Sequence, residues 1–294
     1  PEQFTMQTQK ELVERSKNHA IMNIDVLSFE RLAFRVFDEL GMYQIRILEE
    51  TGKNLILRRL TEEYGDSMSV LGSNLKKMGY VSEIKSLISE FMQYQITPKD
   101  IEAWCEDEDN AWSFRLKMKD ILVIYRKFLE YLEGSYITSE EVLEECAKTA
   151  GRSVMLKDCN LIFDGFTGFT PIQRKVIEKL LRIGKNVYVG LTLDGRYVRS
   201  RYHEYELFAM SKKEKYELIK LAQEAGTPVM PDIICWPDGR DSKELRHLEQ
   251  NIERYPYETY DEVPNDIKIR CFMNPRQESR AVANEIERFV REEG

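Results

Sequence analysis

Leu161-Ile162-Phe163-Asp164-Gly165-Phe166-Thr167-Gly168-Phe169-Thr170-Pro171-Ile172-Gln173 opens on an apolar triplet, passes through a turn and closes on a helix-starting signature. Downstream, Asn186-Val187-Tyr188-Val189-Gly190-Leu191-Thr192-Leu193-Asp194 carries a second apolar run. Short, nearly continuous runs of this kind mark strands buried on both faces of a parallel sheet. Between them, Thr170 is placed as an N-cap, Pro171 as the first helical residue and Gln173 as the third, where its side chain can return to the cap. Gly184 then closes the helix. The unit predicted is strand, helix, strand. In open parallel sheets ligands bind beyond the carboxyl ends of the strands, where Asp164 and Asp194 fall. Periodicity alone favours the plainer reading, in which Asp164 merely begins a turn and Phe166 and Phe169 fill the core.

Two departures stand out when this unit is set beside a nucleotide-driven nucleic-acid motor. In such a motor the first strand ends in Asp-Glu: the Asp holds the magnesium of the bound nucleotide and the Glu orients the attacking water. Here the second position is Gly165. The second strand of a motor ends in Gly-Asp-x-x-Gln, a sensor of the γ-phosphate, and here it reads Gly190-Leu191-Thr192-Leu193-Asp194. Both catalytic positions are changed. No Gly-Lys-Ser/Thr phosphate loop, Gly-x-Ser-x-Gly elbow or His-Glu-x-x-His pair occurs in the sequence.

The 294 residues predict about two domains, and 42% hydrophobic residues leave ample material for a core. A net charge of −8 argues against binding nucleic acid by bulk electrostatics, so any DNA contact must use a local track and be weak in isolation. No run of apolar residues approaches a membrane span and no leader precedes the fold, which makes the cytoplasm the default compartment and a membrane partner unexpected. Five widely spaced cysteines, Cys105, Cys146, Cys159, Cys235 and Cys271, and three scattered histidines give no metal-site spacing and read as reduced, mostly buried thiols. Glu140, Glu141, Glu144 and Glu145 read as a solvated acidic face at a helix start. The opening at Pro1, in a segment that reads as the exit of a strand, predicts a piece of a longer polypeptide.

Along the chain, helices are expected from Thr5 to Ser16 and from Ser28, as N-cap, to Leu40, with a short strand at Ile24 to Leu27 between them. From Thr51 to Ala150 only helical patterns occur: Leu55 to Glu63, Ser73 to Tyr94, Thr97 to Trp104, Trp112 to Leu132 and Thr138 to Ala150. The Ser73 to Tyr94 helix carries an apolar stripe of Leu75, Met78, Ile84, Leu87, Ile88 and Phe91. Strands return at Leu161, Val187, Val229 and Ile267, with a helix capped by Ser211 and Glu214 and ended by Gly226. A final helix is expected from Pro275 to Glu293, and Trp236 to Ser242 and Tyr255 to Asn265 read as loops.

Several segments together resemble the AddB family, the B subunit of the bacterial AddAB (RexAB-type) ATP-dependent helicase-nuclease that processes double-strand breaks. Pro1-Glu2-Gln3-Phe4-Thr5 resembles that family's Val-Pro-Asp/Glu-Gln-x-Thr segment. Ser28-Phe29-Glu30-Arg31-Leu32-Ala33-Phe34-Arg35 resembles its Ser-Phe-x-Arg-Leu-Ala-aromatic-Arg segment, and Asp164-Gly165-Phe166 through Gln173 its Asp-Gly-Phe-x-x-Phe-Thr-Pro-x-Gln segment. The resemblance implies an α/β, P-loop/superfamily 1 helicase-like parallel-sheet domain with an inserted all-helical domain, in a motor that no longer unwinds. The motor domain would comprise residues 1–50 and 156–260, the insertion residues 51–155, and the start of a second motor domain residues 261–294. Asp164, Gly165 and Arg276 would form a degenerate nucleotide site, with Arg276 in the place of a phosphate-contacting arginine.

The resemblance further implies that single-stranded DNA threads through this region and that a recombination hotspot, Chi, is read there by Gln3, Thr5, Phe29, Arg31 and Phe34, and by Phe166. Aromatic faces stack bases, an Arg fork grips guanine or phosphate, and Gln and Thr supply directional bonds. Periodicity alone would put Phe29 and Phe34 in the core. An AddA-type helicase-nuclease subunit is the implied heterodimer partner. The implied 4Fe-4S cluster would be held by cysteines far downstream, with Mg2+ and possibly ATP elsewhere in the complete enzyme, and no catalytic residue is expected in this stretch. Two other readings remain: an ATP-dependent helicase domain without its phosphate loop, and a purely structural partner of the sister subunit.

Overall fold

The computed structural model describes residues 5–44, 46–72, 78–133, 136–193, 203–235, 242–252 and 255–293. Contacts divide the chain into two units, residues 1–231 and 232–294. The first contains, in chain order, α1 (Thr5–Arg15), α2 (Phe29–Glu39), β1 (Ile47–Leu48), α3 (Glu50–Tyr64), α4 (Met78–Gln93), α5 (Pro98–Glu106), α6 (Trp112–Leu132), β2 (Ile137–Thr138), α7 (Ser139–Thr149), β3 (Asn160–Phe163), α8 (Pro171–Ile183), β4 (Asn186–Val189) and α9 (Ala209–Ala225). The second contains α10 (Lys243–Asn251) and α11 (Pro275–Glu293).

The capping signals explain where helices begin. At α8 the Thr170 hydroxyl accepts the Gln173 amide at 3.4 Å while Gln173 Oε1 accepts the Thr170 amide at 2.9 Å. The same reciprocal box forms at Thr97 with Asp100, beside Pro98 at the first turn, and at Thr138 with Glu141. Each satisfies two amides that a helix start otherwise leaves open. Gly226 ends α9 with φ +74°, a left-handed conformation suited to glycine.

Two apolar cores share the first unit. Leu57, Ile88, Ile101, Ile124 and Phe128 centre the core built by α3 to α6, and Ile84, Ile88 and Phe91 supply the α4 part of it. Ala33, Val36, Val142, Cys146, Val176, Ile177 and Leu180 centre the other, where α2, α7 and α8 meet the β3–β4 pair. Leu75 lies outside the described residues. The chain passes from one core to the other at β1 and returns at β2, and these strands pair in parallel, Ile47 with Ile137 and Leu48 with Thr138. Alternation along the strands makes the pair a partition. Ile47 and Ile137 pack against the α2–α7–α8 core, while Leu48 joins the helical core.

β3 and β4 also pair in parallel, from Asn160 with Asn186 to Phe163 with Val189, with α8 as the crossover. Burial on both faces, expected from the apolar runs, does not occur. Phe163 is buried, but Ile162 is 73% and Tyr188 48% exposed, because among the described residues nothing covers the second face of this two-stranded sheet. The strands expected at Ile24 to Leu27, at Val229 and at Ile267 are coil, with no ladder partner among the described residues. Ser211 is not a cap: α9 starts at Ala209, so Ser211 is a buried residue inside the helix, and Glu214 pairs with Arg174. Glu140 is 8% exposed and paired with a lysine rather than solvated. Cys105 and Cys146 are buried and Cys159 half-buried, but Cys235 and Cys271 are exposed. Helix α10, not expected from the sequence, has a legible start, since the Ser242 hydroxyl accepts the Leu245 amide at 3.3 Å. Among the described residues no helix is long and apolar enough to cross a membrane.

One carboxylate ties the end of α2 to the loop that follows α7. Glu39 accepts the Ser153 hydroxyl and the Val154 and Met155 amides, the latter two at 2.8 and 2.9 Å. The Ser153 bond, followed by the amides, holds its carboxyl below the ordinary carboxylate range. A group whose pKa falls on folding adds stability above its unfolded pKa, and that stability is lost as pH drops through the folded value. Glu39→Gln is therefore expected to flatten the acid limb of a stability-versus-pH profile measured by urea unfolding. An unchanged acid limb would show that these bonds do not favour the ionised form.

Candidate nucleic-acid interface

The edge where β3 and β4 end is assembled from four phenylalanines. Phe163 closes β3, Phe166 and Phe169 follow in the turn, and Phe29 reaches them from the first turn of α2. The Phe29 ring lies 5.6 Å from Phe163, 5.6 Å from Phe166 and 6.1 Å from Phe169, centroid to centroid. Phe166 and Phe169 are 4.9 Å apart. Offset and edge-on ring pairs in this range add about 0.5–1.5 kcal/mol each beyond burial. The cluster therefore fixes the start of α2 over the carboxyl end of β3.

The turn itself explains the glycine. Gly165 has φ +72°, where a side chain meets the backbone unfavourably, so the position expected to match a motor's water-orienting carboxylate adopts a conformation suited to glycine. Asp164, exposed, stands beside the end of β4: a Cβ added at Gly190 would meet Asp164 Oδ1 at 3.4 Å, and the Gly190 amide donates to the Phe163 carbonyl at 2.8 Å. Leu191, at the expected sensor position, offers no carboxylate.

Ser28 caps α2 by accepting the Arg31 amide at 3.2 Å. Arg31 is exposed and its guanidinium enters no ion pair among the described residues, whereas Arg35, one turn on, is bound to Asp25 at 2.5 Å. An exposed cation in the first turn, beside the open amides of a helix start, suits an anionic ligand. Arg174, in the first turn of α8, is differently placed. Its guanidinium grips buried Glu214 on α9 through two bonds of 3.1 and 2.6 Å, so that charge is neutralised within the fold.

The six residues of the expected DNA track are thus distributed unequally. The structure brings Phe29 and Phe166 into ring contact and places Arg31 two residues further along α2. Phe29 is 8% exposed, so a base could stack on it only by displacing a neighbouring ring. Phe166 is half-buried. Phe34 is half-buried with its ring against Phe37 at 6.4 Å, apart from the four-ring cluster. Thr5 is half-buried at the start of α1, and Gln3 and Asp194 lie outside the described residues. Arg276 is exposed on the first turn of α11, in the second unit. Sequence reasoning missed Phe163 and Phe169 as the frame of the site, although the three-residue spacing of Phe163, Phe166 and Phe169 was a signal. It also missed the Arg174–Glu214 clamp, which no local pattern announces.

No three His, Cys, Asp or Glu side chains converge as a metal site among the described residues. The cysteines Cys105, Cys146, Cys159, Cys235 and Cys271 form no cluster with one another among the described residues.

A family model described as "ADDB, N-terminal" matches residues 1–249. The chain is 38% identical over 300 residues to a protein of Lachnoclostridium phytofermentans named as the B subunit of an ATP-dependent helicase/deoxyribonuclease, covering 100% of this chain and 26% of that protein. Proteins of the same name from Acetivibrio thermocellus and Caldanaerobacter subterraneus are 31% and 33% identical, each matched over 100% of this chain and over 26% and 25% of their own lengths. The chain spans about a quarter of the length of these curated relatives.

Proposed function

The chain belongs to the AddB N-terminal family, and from that premise we propose that it is the non-hydrolysing, motor-like region of a helicase-deoxyribonuclease B subunit, guiding single-stranded DNA and reading a recombination hotspot. The partner is an AddA-type subunit that supplies the motor, and the fold is a superfamily 1-like sheet domain with an inserted helical domain. One observation supports the reading: β3, closed by Phe163, is followed by Asp164 and a left-handed Gly165, and the Phe29 cluster holds the first turn of α2, which carries the exposed Arg31, against the end of β3. The arrangement keeps the ligand-facing edge of a motor and lacks the water-orienting acid.

In this reading Arg31 binds phosphate or a guanine edge, Phe166 offers the more accessible ring, and Phe29 positions both. Gln3, Thr5 and Phe34 extend the path. The net charge of −8 favours a second reading, a purely structural partner of the sister subunit. The two differ in whether single-stranded DNA binds with a salt-dependent affinity.

The inactive-motor part is tested by ATP turnover. The complete B subunit, apart from its partner, is expected to show no magnesium-dependent hydrolysis above a heat-killed control. Gly165→Glu is expected to add none, because Leu191 still lacks an acid. It should instead cost about 1–2 kcal/mol from a left-handed side chain, lowering the melting temperature by about 3 °C. Magnesium-dependent turnover by the parent subunit would overturn the reading.

A further inference from the structure

The two cores of the first unit meet at one buried cation. Lys53, on α3 in the helical segment, is 1% exposed. Its ammonium donates to both oxygens of Glu140 at 2.9 and 2.8 Å, to Glu50 Oε1 at 3.0 Å, and to the hydroxyls of Ser89 and Ser139 at 3.3 Å. Lys85 on α4 binds the other oxygen of Glu50 at 2.6 Å. Two ammonium and two carboxylate groups thus balance locally. The acceptors come from three helices, α3, α4 and α7.

Glu140 and Ser139 open α7, whose Val142, Cys146 and Ala147 belong to the α2–α7–α8 core, while Lys53, Glu50 and Ser89 sit on helices of the other core. Glu140 also occupies the first turn of α7, where a carboxylate is favoured by the helix end. The network lies beside the point where the chain crosses between cores, since α3 follows β1 and α7 follows β2 directly. At that crossing Thr138 is fully buried and its hydroxyl meets Met92 Sδ of α4 at 3.9 Å. The β1–β2 pair is only two residues long on each side. A ladder that short is a weak brace by itself.

We propose that Lys53 is the pin that makes the helical segment and the α/β core one cooperative body, with the β1–β2 pair as the hinge that remains when the pin is removed. An ammonium with three protons shared among these acceptors fixes the angle between α3 and α7. Removal of one member leaves a buried charge without its partner, and that charge recovers water only if the two cores part. The strain is therefore relieved at the seam rather than inside either core.

Each core carries its own buried thiol, which allows the two to be read separately. Cys105 is in the helical core and Cys146 in the other. Burial pushes the Cys105 thiol up and the Cys146 thiol up to about 12, so both are inert to alkylation until exposed. The experiment is alkylation of the full chain across a urea series, with each cysteine quantified by peptide mass spectrometry. In the parent the two thiols are expected to become reactive at one midpoint. In Lys53→Met the midpoints should separate by about 1 M urea. Glu140→Gln, which keeps hydrogen-bonding capacity but removes the charge, should separate them by less, in the same direction. Leu57→Ala, a cavity in the helical core that leaves the pin intact, should lower both midpoints together. Coincident midpoints in Lys53→Met would overturn the proposal. If that variant is labelled at both sites without urea, Glu140→Gln decides: separation supports the pin, and a common midpoint rejects it.

Discussion

Phe29→Ala is expected to lower the unfolding free energy of the chain by about 3 kcal/mol, the usual loss when a buried Phe is truncated. The ring is 8% exposed and touches three other rings, so its removal opens a cavity between α2 and the end of β3 and leaves Phe163, Phe166 and Phe169 without their common partner. Phe29→Leu should recover more than half of the loss by refilling the space without the ring geometry. Equilibrium urea unfolding measures both. A loss below about 1 kcal/mol for the alanine variant would show that Phe29 is not the brace that holds the start of α2.

The second large effect concerns function. Arg31→Ala, in the complete two-subunit enzyme, is expected to abolish most of the response to the hotspot sequence while unwinding and degradation stay near the parent level. The two should separate because the motor is assigned to the partner subunit, whereas Arg31 is exposed and its side chain supports no core. Its backbone amide, the group that Ser28 caps, is retained by alanine, so α2 should start where it does now. Joint loss of hotspot response and unwinding would mean that Arg31 supports the fold or the interface with the sister chain.

The parts of this architecture that were legible in the sequence rest on local signals. Thr170-Pro171-Ile172-Gln173 predicts the start of α8, and Thr138 with Glu141 the start of α7, because a capping box is closed within four residues. The crossover from β3 to β4 was legible for the same reason. What was not legible depends on partners distant in sequence. The apolar runs at Leu161 and Val187 suggested strands covered on both faces, but coverage is supplied by other elements, and none of the described residues covers the Ile162 and Tyr188 side. Ile24 to Leu27 has strand-like composition and no ladder to join among the described residues. Glu140 looked like one acid among four on a wet helix face, and only the fold reveals Lys53 opposite it, 87 positions away in sequence. At the candidate interface, Asp164 and Gly165 were readable from the motif. The burial of Phe29 was the alternative that periodicity had kept open. Which arginines are ion-paired among the described residues, Arg35 and Arg174 but not Arg31, depended on where Asp25 and Glu214 lie in three dimensions.

Whether this edge binds single-stranded DNA through Arg31 is tested most directly by the affinity of the complete two-subunit enzyme, without ATP, for a hotspot-containing single strand across a salt series. With the parent, log affinity should fall linearly with log salt. Arg31→Ala should weaken binding about tenfold at low salt and reduce the slope by about 0.7, the contribution of one phosphate contact on a single strand. Parent and variant curves that coincide in both affinity and slope would contradict the account and leave the structural-partner reading in its place.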